Sequence, residues 1–536
     1  MDAQASGAQR VVEVLRSRGV RTIFTLSGNQ VLPLYDALFD AEVRLLSTRH
    51  EAAAVHMADA WGQLTGTAGV ALVTAGPGHS NALTALGVAR GNESPVVLLS
   101  GATETTARGT GAFQELPQAE LATLVAKRAV SADNSATAGY LVDEAFALAE
   151  APIPGPVSVS LPYDTQTARA MPGLTDPGGA TPEINGAATP AGDNWRVLLD
   201  VLGEAQAPVL LGSPWVARTE EFRAAAAHLG CPAFALESAR AGSDPYLFGS
   251  EAAFQRADVL LLLAPWDYTA RTDLILRTRE CGIVQVWPAA PATSLPPSVR
   301  YLAGQPLDAL HAILALPPRS NQSAREAVIR EQEAARAAVV QASYETPHDG
   351  VHPLHLAEAV RHRLGDGDVV SIDGGEFCQW VRLGLAWGAW RTLINGKFGP
   401  IGTAVPHALG ARVAVGEAPA VLGFAGDGGF GYHALEIETA ARERLPAILF
   451  VGTDGKWGAE WHLQRRRYGE ARVVGSELSV CHYEEVAKGL GGVGLLLDRE
   501  DHIEATLDAA WSAMRDGQIV LVNVMAAPLP SPAALH

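Results

Sequence analysis

The chain has 536 residues, of which 48% are hydrophobic and 18% charged, with a formal charge of −18 at pH 7. That composition supplies several buried cores and excludes a disordered or fibrous chain, and the acidic balance argues against nucleic acid as a partner. The four cysteines (Cys231, Cys281, Cys378 and Cys481) show no zinc or disulfide spacing, no basic start with an apolar run follows Met1, and the longest compact apolar run is 259–264. A cytoplasmic protein without membrane contact is expected.

At about 150 residues per domain, the length gives roughly three or four domains. Short β-branched or Leu-rich runs predict strands at 43–47, 70–74, 96–100, 157–161, 209–211, 259–263, 283–286, 369–373, 420–424, 447–451 and 519–524. Alanine-rich, helix-period stretches separate them. Near-continuous apolar strands alternating with helices mean parallel sheets covered on both faces. Segment 171–194, rich in Pro, Gly, Ala and Thr, reads as a linker; segment 317–349 reads as a connection built on a charged helix at 325–342. The expected architecture is α/β, with three doubly wound domains and mainly parallel central sheets, at 1–170, 195–316 and 350–536.

Several turns carry candidate chemistry. In the first block these are Leu26-Ser27-Gly28-Asn29-Gln30, then Arg49-His50-Glu51, which opens a helix predicted at 51–64 and stopped by Gly66. Gly76-Pro77-Gly78-His79-Ser80-Asn81 and Gly111-Ala112-Phe113-Gln114-Glu115 follow. Taken singly, an acidic residue in a first helical turn complements the helix dipole, and a lone histidine is more often structural than catalytic. The basic triplet 465–467 reads as one turn of surface.

The third block holds the strongest signal. A predicted strand runs into Ala425-Gly426-Asp427-Gly428-Gly429-Phe430, and the next ends in Gly452-Thr453-Asp454-Gly455-Lys456-Trp457-Gly458. Glycines at a strand-to-helix junction let backbone N–H groups approach a phosphate. Asp427 and Asp454, at the ends of strands one crossover apart, can converge on one cation, and hard oxygen ligands suit Mg²⁺. Plain turns with capping aspartates are the alternative, which the second acidic turn weakens.

Together with Asp373-Gly374-Gly375-Glu376-Phe377 and Phe398-Gly399-Pro400-Ile401-Gly402, these motifs span essentially the whole chain. In that order they resemble the thiamine-diphosphate-dependent superfamily, which includes acetolactate synthase, benzoylformate and pyruvate decarboxylases, oxalyl-CoA decarboxylase and 2-hydroxyacyl-CoA lyase. The Asp-Gly-Gly-Glu-Phe and Gly-Thr-Asp-Gly-Lys-Trp stretches are most similar to the acetolactate synthase-like, or 2-hydroxyacyl-CoA lyase, branch. The resemblance implies a pyrimidine-binding block, a middle block and a diphosphate-binding block. It implies that the Asp427 and Asp454 side chains and the Lys456 carbonyl hold Mg²⁺. Gly426, Gly428, Gly429 and Trp457 would surround the cofactor with them, as would backbone N–H groups of Gly375, Glu376 and Phe377, the Glu376 carboxylate turning away. Asp454 stands where the family has Asn; the Lys456 ammonium is expected to offset the extra charge.

On the pyrimidine side the resemblance places Glu51 on N1′ of the aminopyrimidine, with Gly28, Asn29, Pro77 and Gly78 around it. The Gly399 carbonyl and the Ile401 N–H and side chain would shape the bent cofactor. Gln114 falls near the reacting carbon. Asn29, His79, Trp457 and Trp461 are candidate substrate contacts.

The middle block of some relatives holds FAD or ADP, but here strand 283–286 ends in Trp287-Pro288-Ala289-Ala290 without an acidic residue for a ribose, and Leu263-Ala264-Pro265-Trp266-Asp267 lacks a glycine turn. No nucleotide is expected there. The short stretch after Val524 is expected to leave little cover for CoA. No GxGxxG follows an early strand, which disfavours a dinucleotide-dependent dehydrogenase. The resemblance implies decarboxylation and carboligation of a 2-oxo acid. Cleavage of a 2-hydroxyacyl-CoA is the second reading, and a non-catalytic binding protein the third. Because the Glu51 and Asp427 halves of one site come from different subunits in this family, a homodimer at least, with a tetramer expected, is implied.

Overall fold

In the computed structural model the described residues are 5–169, 192–236, 248–266, 281–291, 294–319, 322–385 and 388–532. The first sheet contains β1 (Thr22–Thr25), β2 (Arg44–Ser47), β3 (Gly69–Val73), β4 (Val96–Ala102), β5 (Arg128–Ser131) and β6 (Pro156–Pro162), in the order β2-β1-β3-β4-β6-β5. β3 and β6 are buried at every residue, which their unbroken apolar or small sequences permit. The third sheet contains β12 (Val369–Ile372), β13 (Arg391–Ile394), β14 (Val421–Gly426), β15 (Ala447–Thr453), β16 (Val493–Leu497) and β17 (Ile519–Met525), ordered β13-β12-β14-β15-β17-β16. Every ladder among the described residues is parallel, and helices cover both sides of the sheets. The chain is α/β with doubly wound sheets.

In both of these sheets the chain lays its second strand to one side of the first, then crosses to the other. The switch points therefore lie between β1 and β3 and between β12 and β14. Crevices at such points, beyond the carboxyl ends of the strands, are where open α/β sheets bind ligands.

These two sheets belong to one compact unit, joined through helices α1 (Glu51–Thr65) and α3 (Ala404–Val415); α2 (Pro77–Gly91) lies between them in sequence. α1 starts because His50 is extended and its ring accepts the Ala52 N–H at 3.1 Å; it stops at Gly66, with φ 73°. Alanines on both helices let their backbones approach. A Cβ on Gly410 would lie 2.5 Å from the Met57 carbonyl oxygen, so only glycine fits that crossing. In the seam His407 and Asp59, both fully buried, meet at 3.0 Å, and Asn92 adds a 3.1 Å bond to the same carboxylate. Burial pushes the Asp59 carboxyl up, but His407, Ser94 and Gln63 hold it net below its ordinary range.

The second sheet lies in a separate unit: β7 (Pro208–Gly212), β8 (Ala233–Ala235), β9 (Val259–Leu263), β10 (Gly282–Trp287) and β11 (Val299–Ala303), ordered β11-β10-β9-β7-β8. The same unit carries the helix Ser323–Glu345, the charged helix expected at 325–342. Of the expected linker, 171–191 lies outside the described residues, as does Asp267; a helix Gly192–Glu204 begins at the linker's end. β14 and β15 run two residues beyond their expected ends because Gly426 and Gly452 still pair with each other. All four cysteines are free.

Candidate functional site

Three consecutive strands around the third sheet's switch point each end in an aspartate. Asp373 follows β12 and is fully buried. Its Oδ2 accepts the Gly402 N–H at 2.7 Å, and its Oδ1 accepts the Gly374 N–H at 2.9 Å and the Thr403 hydroxyl at 3.2 Å. One carboxylate thus ties the turn after β12 to the Phe398-to-Gly402 loop. Burial pushes Asp373 up, and these donors oppose the shift.

Asp427 follows β14, with Oδ1 accepting the Gly428 N–H and Oδ2 the Gly455 N–H, both at 2.9 Å. Asp454 follows β15; its Oδ1 accepts the Lys456 N–H at 3.0 Å. The two acidic turns are therefore laced together. Burial first, and then the Asp427 charge, push the Asp454 carboxyl up to about 6. The Lys456 ammonium folds back to donate to the Asp454 carbonyl at 3.1 Å and lies 5.4 Å from the Trp461 ring, which Arg465 also faces at 4.5 Å.

Small residues let large ones close over these turns. A Cβ on Gly428 would meet the Trp457 ring at 2.3 Å, and one on Gly452 the Phe377 ring at 2.2 Å. Gly402, at φ 92°, accommodates Tyr432, and Gly374 lies against the Ile401 side chain, 3.1 Å from where its Cβ would be. Gly399 and Gly375 have φ 70° and 95°, backbone that other residues rarely adopt. Glu376 is buried, its stem against Gly458.

A matching set surrounds the first sheet's switch point. Glu51 follows β2 at the start of α1, and the Asn81 amide, one turn into α2, donates to its Oε2 at 3.0 Å. Its Oε1 lies 3.5 Å from where a Cβ on Gly78 would be. Thr74 packs against both Gly28 and Gly78 and donates to the Gln30 side chain at 2.9 Å, fixing the turn that carries Asn29. Pro77 opens α2 behind Gly76, whose φ of 56° places its Cα beside the Gln114 backbone. Gln114 itself is a non-glycine residue at φ 61°, and its buried Oε1 has no hydrogen-bond partner. The Glu115 carboxylate holds that loop by accepting from Gly109, Gly111 and Ala112. His79 is fully buried, its Nδ1 2.8 Å from the Ser100 hydroxyl, and burial pushes its imidazole down to about 4.

Comparison with known proteins bears on what these two groups serve. The pattern described as "Thiamine pyrophosphate enzyme, N-terminal TPP binding domain" matches residues 5–121, and "Thiamine pyrophosphate enzyme, C-terminal TPP binding domain" matches 373–524. The chain is 30% identical over 583 residues to human 2-hydroxyacyl-CoA lyase 2, covering 97% of this chain and 90% of that protein. It is equally 30% identical over 554 residues to a probable acetolactate synthase of Mycobacterium bovis, covering 98% and 97%. A catabolic acetolactate synthase of Raoultella terrigena is 26% identical. The chain belongs to the thiamine pyrophosphate enzyme family.

As a member of that family it is a thiamine diphosphate-dependent enzyme, and its residues fit the cofactor. At the start of the short helix after β14, a Cβ on Gly428 would strike the Trp457 ring and one on Gly429 the Asp373 carboxylate, so the turn admits glycine alone, as a diphosphate-binding turn requires. Burial, and then the facing Asp427 charge, raise Asp454; a cation between the two carboxylates would offset both, and hard oxygen ligands suit it. On the first sheet Glu51 is the carboxylate at the switch point. The sequence-derived residues thus fall into two groups: Asp427, Gly428, Asp454, Lys456 and Trp457 with the Gly375 and Ile401 turns, and Glu51, Gly78 and Gly28 with the Asn29 and Gln114 turns. His79 sits inside the fold, and Trp461 stacks with cations. Sequence reasoning missed the tying role of Asp373, visible in sequence only as the acidic end of a third strand. It also missed Asn81 as the partner of Glu51. Among the described residues, no helix is long and apolar enough to cross a membrane.

Proposed function

We propose that the enzyme decarboxylates a 2-oxo acid and ligates the resulting fragment to a second carbonyl compound, as an acetolactate synthase does, with Mg²⁺ holding the cofactor's diphosphate. The observation that carries the reading is the Glu51 carboxylate, fixed by Asn81 at one switch point, together with the laced Asp427 and Asp454 turns at the other. The match to the mycobacterial synthase, over 98% of this chain and 97% of that protein, supports the synthase reading.

Asp427, Asp454 and the Lys456 carbonyl would hold the metal. The backbone of Gly426 to Gly429 and of Gly375 to Phe377 would hold the diphosphate, with Trp457 packed behind Gly428. Gly399 and Ile401 would shape the cofactor between the two halves. When bound, thiamine diphosphate supplies an electron sink for breaking the bond beside a carbonyl. The chain supplies the rest. Asn81 engages Oε2 of Glu51, so Oε1 is the atom placed to share a proton with the aminopyrimidine. The unsatisfied Gln114 Oε1 awaits a donor, and a substrate hydroxyl would provide one. Asn29 and Trp457 would meet substrate from either side. The Phe377 and Trp457 rings pack on Gly452 and Gly428 of the acidic turns.

Large apolar side chains are exposed beside these same turns: Phe113 (74%), Tyr432 (60%), Leu435 (54%) and Phe398 (53%). Such exposure next to a site supports cover by a second copy, a homodimer at least and a tetramer by the family's habit. The free, mostly buried cysteines fit a reducing cytoplasm. The domain limits 1–170, 195–316 and 350–536 are part of this proposal. No nucleotide is assigned to the middle sheet.

Product analysis with pyruvate, glyoxylate, benzoylformate and 2-hydroxyacyl-CoAs, with and without Mg²⁺ and thiamine diphosphate, tests the reading. CO₂ with an acyloin supports it. Formyl-CoA with an aldehyde assigns the lyase reaction instead, which the similarity to the human lyase favours. A raised melting temperature with no turnover on any substrate makes the chain a binding protein.

A further inference from the structure

The turn that presents Glu51 is built by a helix from the other end of the chain. α4 (Glu436–Glu443) lies along residues 44–50 and touches them repeatedly. Arg442 donates to the Ser47 carbonyl at 2.5 Å, Arg44 donates to the Glu443 carbonyl at 2.9 Å and carboxylate at 3.0 Å, and Arg49 faces Glu438 at 3.8 Å. At the centre is Glu436, only 1% exposed. Its Oε1 accepts the Arg49 N–H at 2.9 Å, and Oε2 accepts the Thr439 hydroxyl at 2.6 Å. The His433 ring lies edge-on to His50 at 5.5 Å. Helix starts leave N–H groups without intrahelical partners. Here the His50 ring serves Ala52, and Glu436 serves Arg49, two residues before Glu51. Several partners thus over-determine the backbone on which Glu51 stands.

We propose that Glu436 is a positioning residue for Glu51: its carboxylate, on the segment that begins with Asp427, fixes the approach to α1 by accepting the Arg49 N–H, and so aims the Glu51 carboxylate. The proposal rests on the reading of Glu51 as the group that meets the aminopyrimidine. What it adds is a physical link inside one chain between the segment of the diphosphate turn and the carboxylate at the pyrimidine turn. The link needs an acceptor, not a charge. A glutamine at this place keeps an oxygen for the Arg49 N–H, whereas alanine leaves that donor without its partner.

The test compares wild type, Glu436→Ala, Glu436→Gln, Thr439→Val and Glu51→Gln, each as full chain loaded with thiamine diphosphate and Mg²⁺. Amide hydrogen exchange over residues 44–56 reports the clamp. Exchange of the bound cofactor's C2 proton, followed by quenched NMR, reports how Glu51 is aimed. Glu436→Ala is expected to speed exchange of the Arg49 amide about tenfold and to slow C2 exchange about tenfold, with cofactor affinity changed less than about threefold. Glu436→Gln is expected to restore both. Thr439→Val, which removes only the hydroxyl bond to Glu436, is expected to move both readouts the same way by less, and it serves if the alanine variant does not fold. Faster amide exchange with C2 exchange at the wild-type rate would overturn the proposal. So would a glutamine variant as impaired as the alanine one. Wild-type C2 exchange in Glu51→Gln overturns the Glu51 reading instead, a separate result.

Discussion

Asp454 is the side chain on which the electrostatics of the diphosphate turns depend. Its carboxyl, raised to about 6 from an ordinary 3.8, is costly to ionise beside Asp427, and the Lys456 ammonium is directed to the Asp454 carbonyl. Because the folded-state value is raised, the folded protein holds this proton more tightly than the unfolded chain. The cost is absent at low pH and grows as pH rises through about 6. Asp454→Asn should therefore raise the melting midpoint of the metal-free protein by about 2–4 °C at pH 7.5. The gain should shrink toward pH 4.5, and shrink also when Mg²⁺ and thiamine diphosphate are added, because the cation then offsets the Asp454 charge. Differential scanning calorimetry at the two pH values checks it; an equal gain at both would show that the charge is not responsible. The paired glycine-aspartate turns were legible in the sequence because the chemistry is local. Asp373 was visible as a residue but not as a tie, since its partners lie on the distant Phe398-to-Gly402 loop.

Helices α1 and α3 set the spacing of the first and third sheets within one chain. Their contact at Gly410 leaves no room for a methyl group, and the atom it would meet is backbone, which cannot move aside. Gly410→Ala should cost about 2 kcal/mol or more in urea unfolding, while an alanine at solvent-facing Gly203 should cost nothing. The same seam buries imidazoles with little compensation. Burial, then neighbouring His50 and His407, push His433 down to about 4. A depressed value means that stability is full above about 6.5 and is lost as pH falls toward 4. His433→Gln should remove up to about 3 kcal/mol of that decline, read as a flatter plot of unfolding free energy between pH 6.5 and 4. A slope unchanged from wild type would assign the acid sensitivity elsewhere. Most buried strands were legible because both faces are apolar, but β1, four residues with threonine at both ends, was not. Edge strands such as β5, β8, β11, β13 and β16 were not, being short and partly exposed, with patterns that a loop also satisfies.

The whole molecule shows what sequence patterns cannot. A family resemblance read from turns indicated two halves of a site, but the α4 clamp on the Glu51 turn joins residues 387 positions apart and leaves no local trace. Exposed Phe113, Tyr432, Leu435 and Phe398 beside the site call for a cover. Sedimentation equilibrium at micromolar concentration should give a mass at least twice the 56.2 kDa of one chain, and Leu435→Glu should reduce both mass and turnover. A monomer with full turnover would refute the shared site. The claim beneath all of this is that the two switch points serve one cofactor. Calorimetric titration of the cofactor-free protein with thiamine diphosphate addresses it directly. Saturable binding that requires Mg²⁺ and falls at least about tenfold in Asp427→Asn is the predicted result, with Glu51→Gln binding but failing to turn over. Binding unaffected by Mg²⁺ and by Asp427→Asn would contradict it.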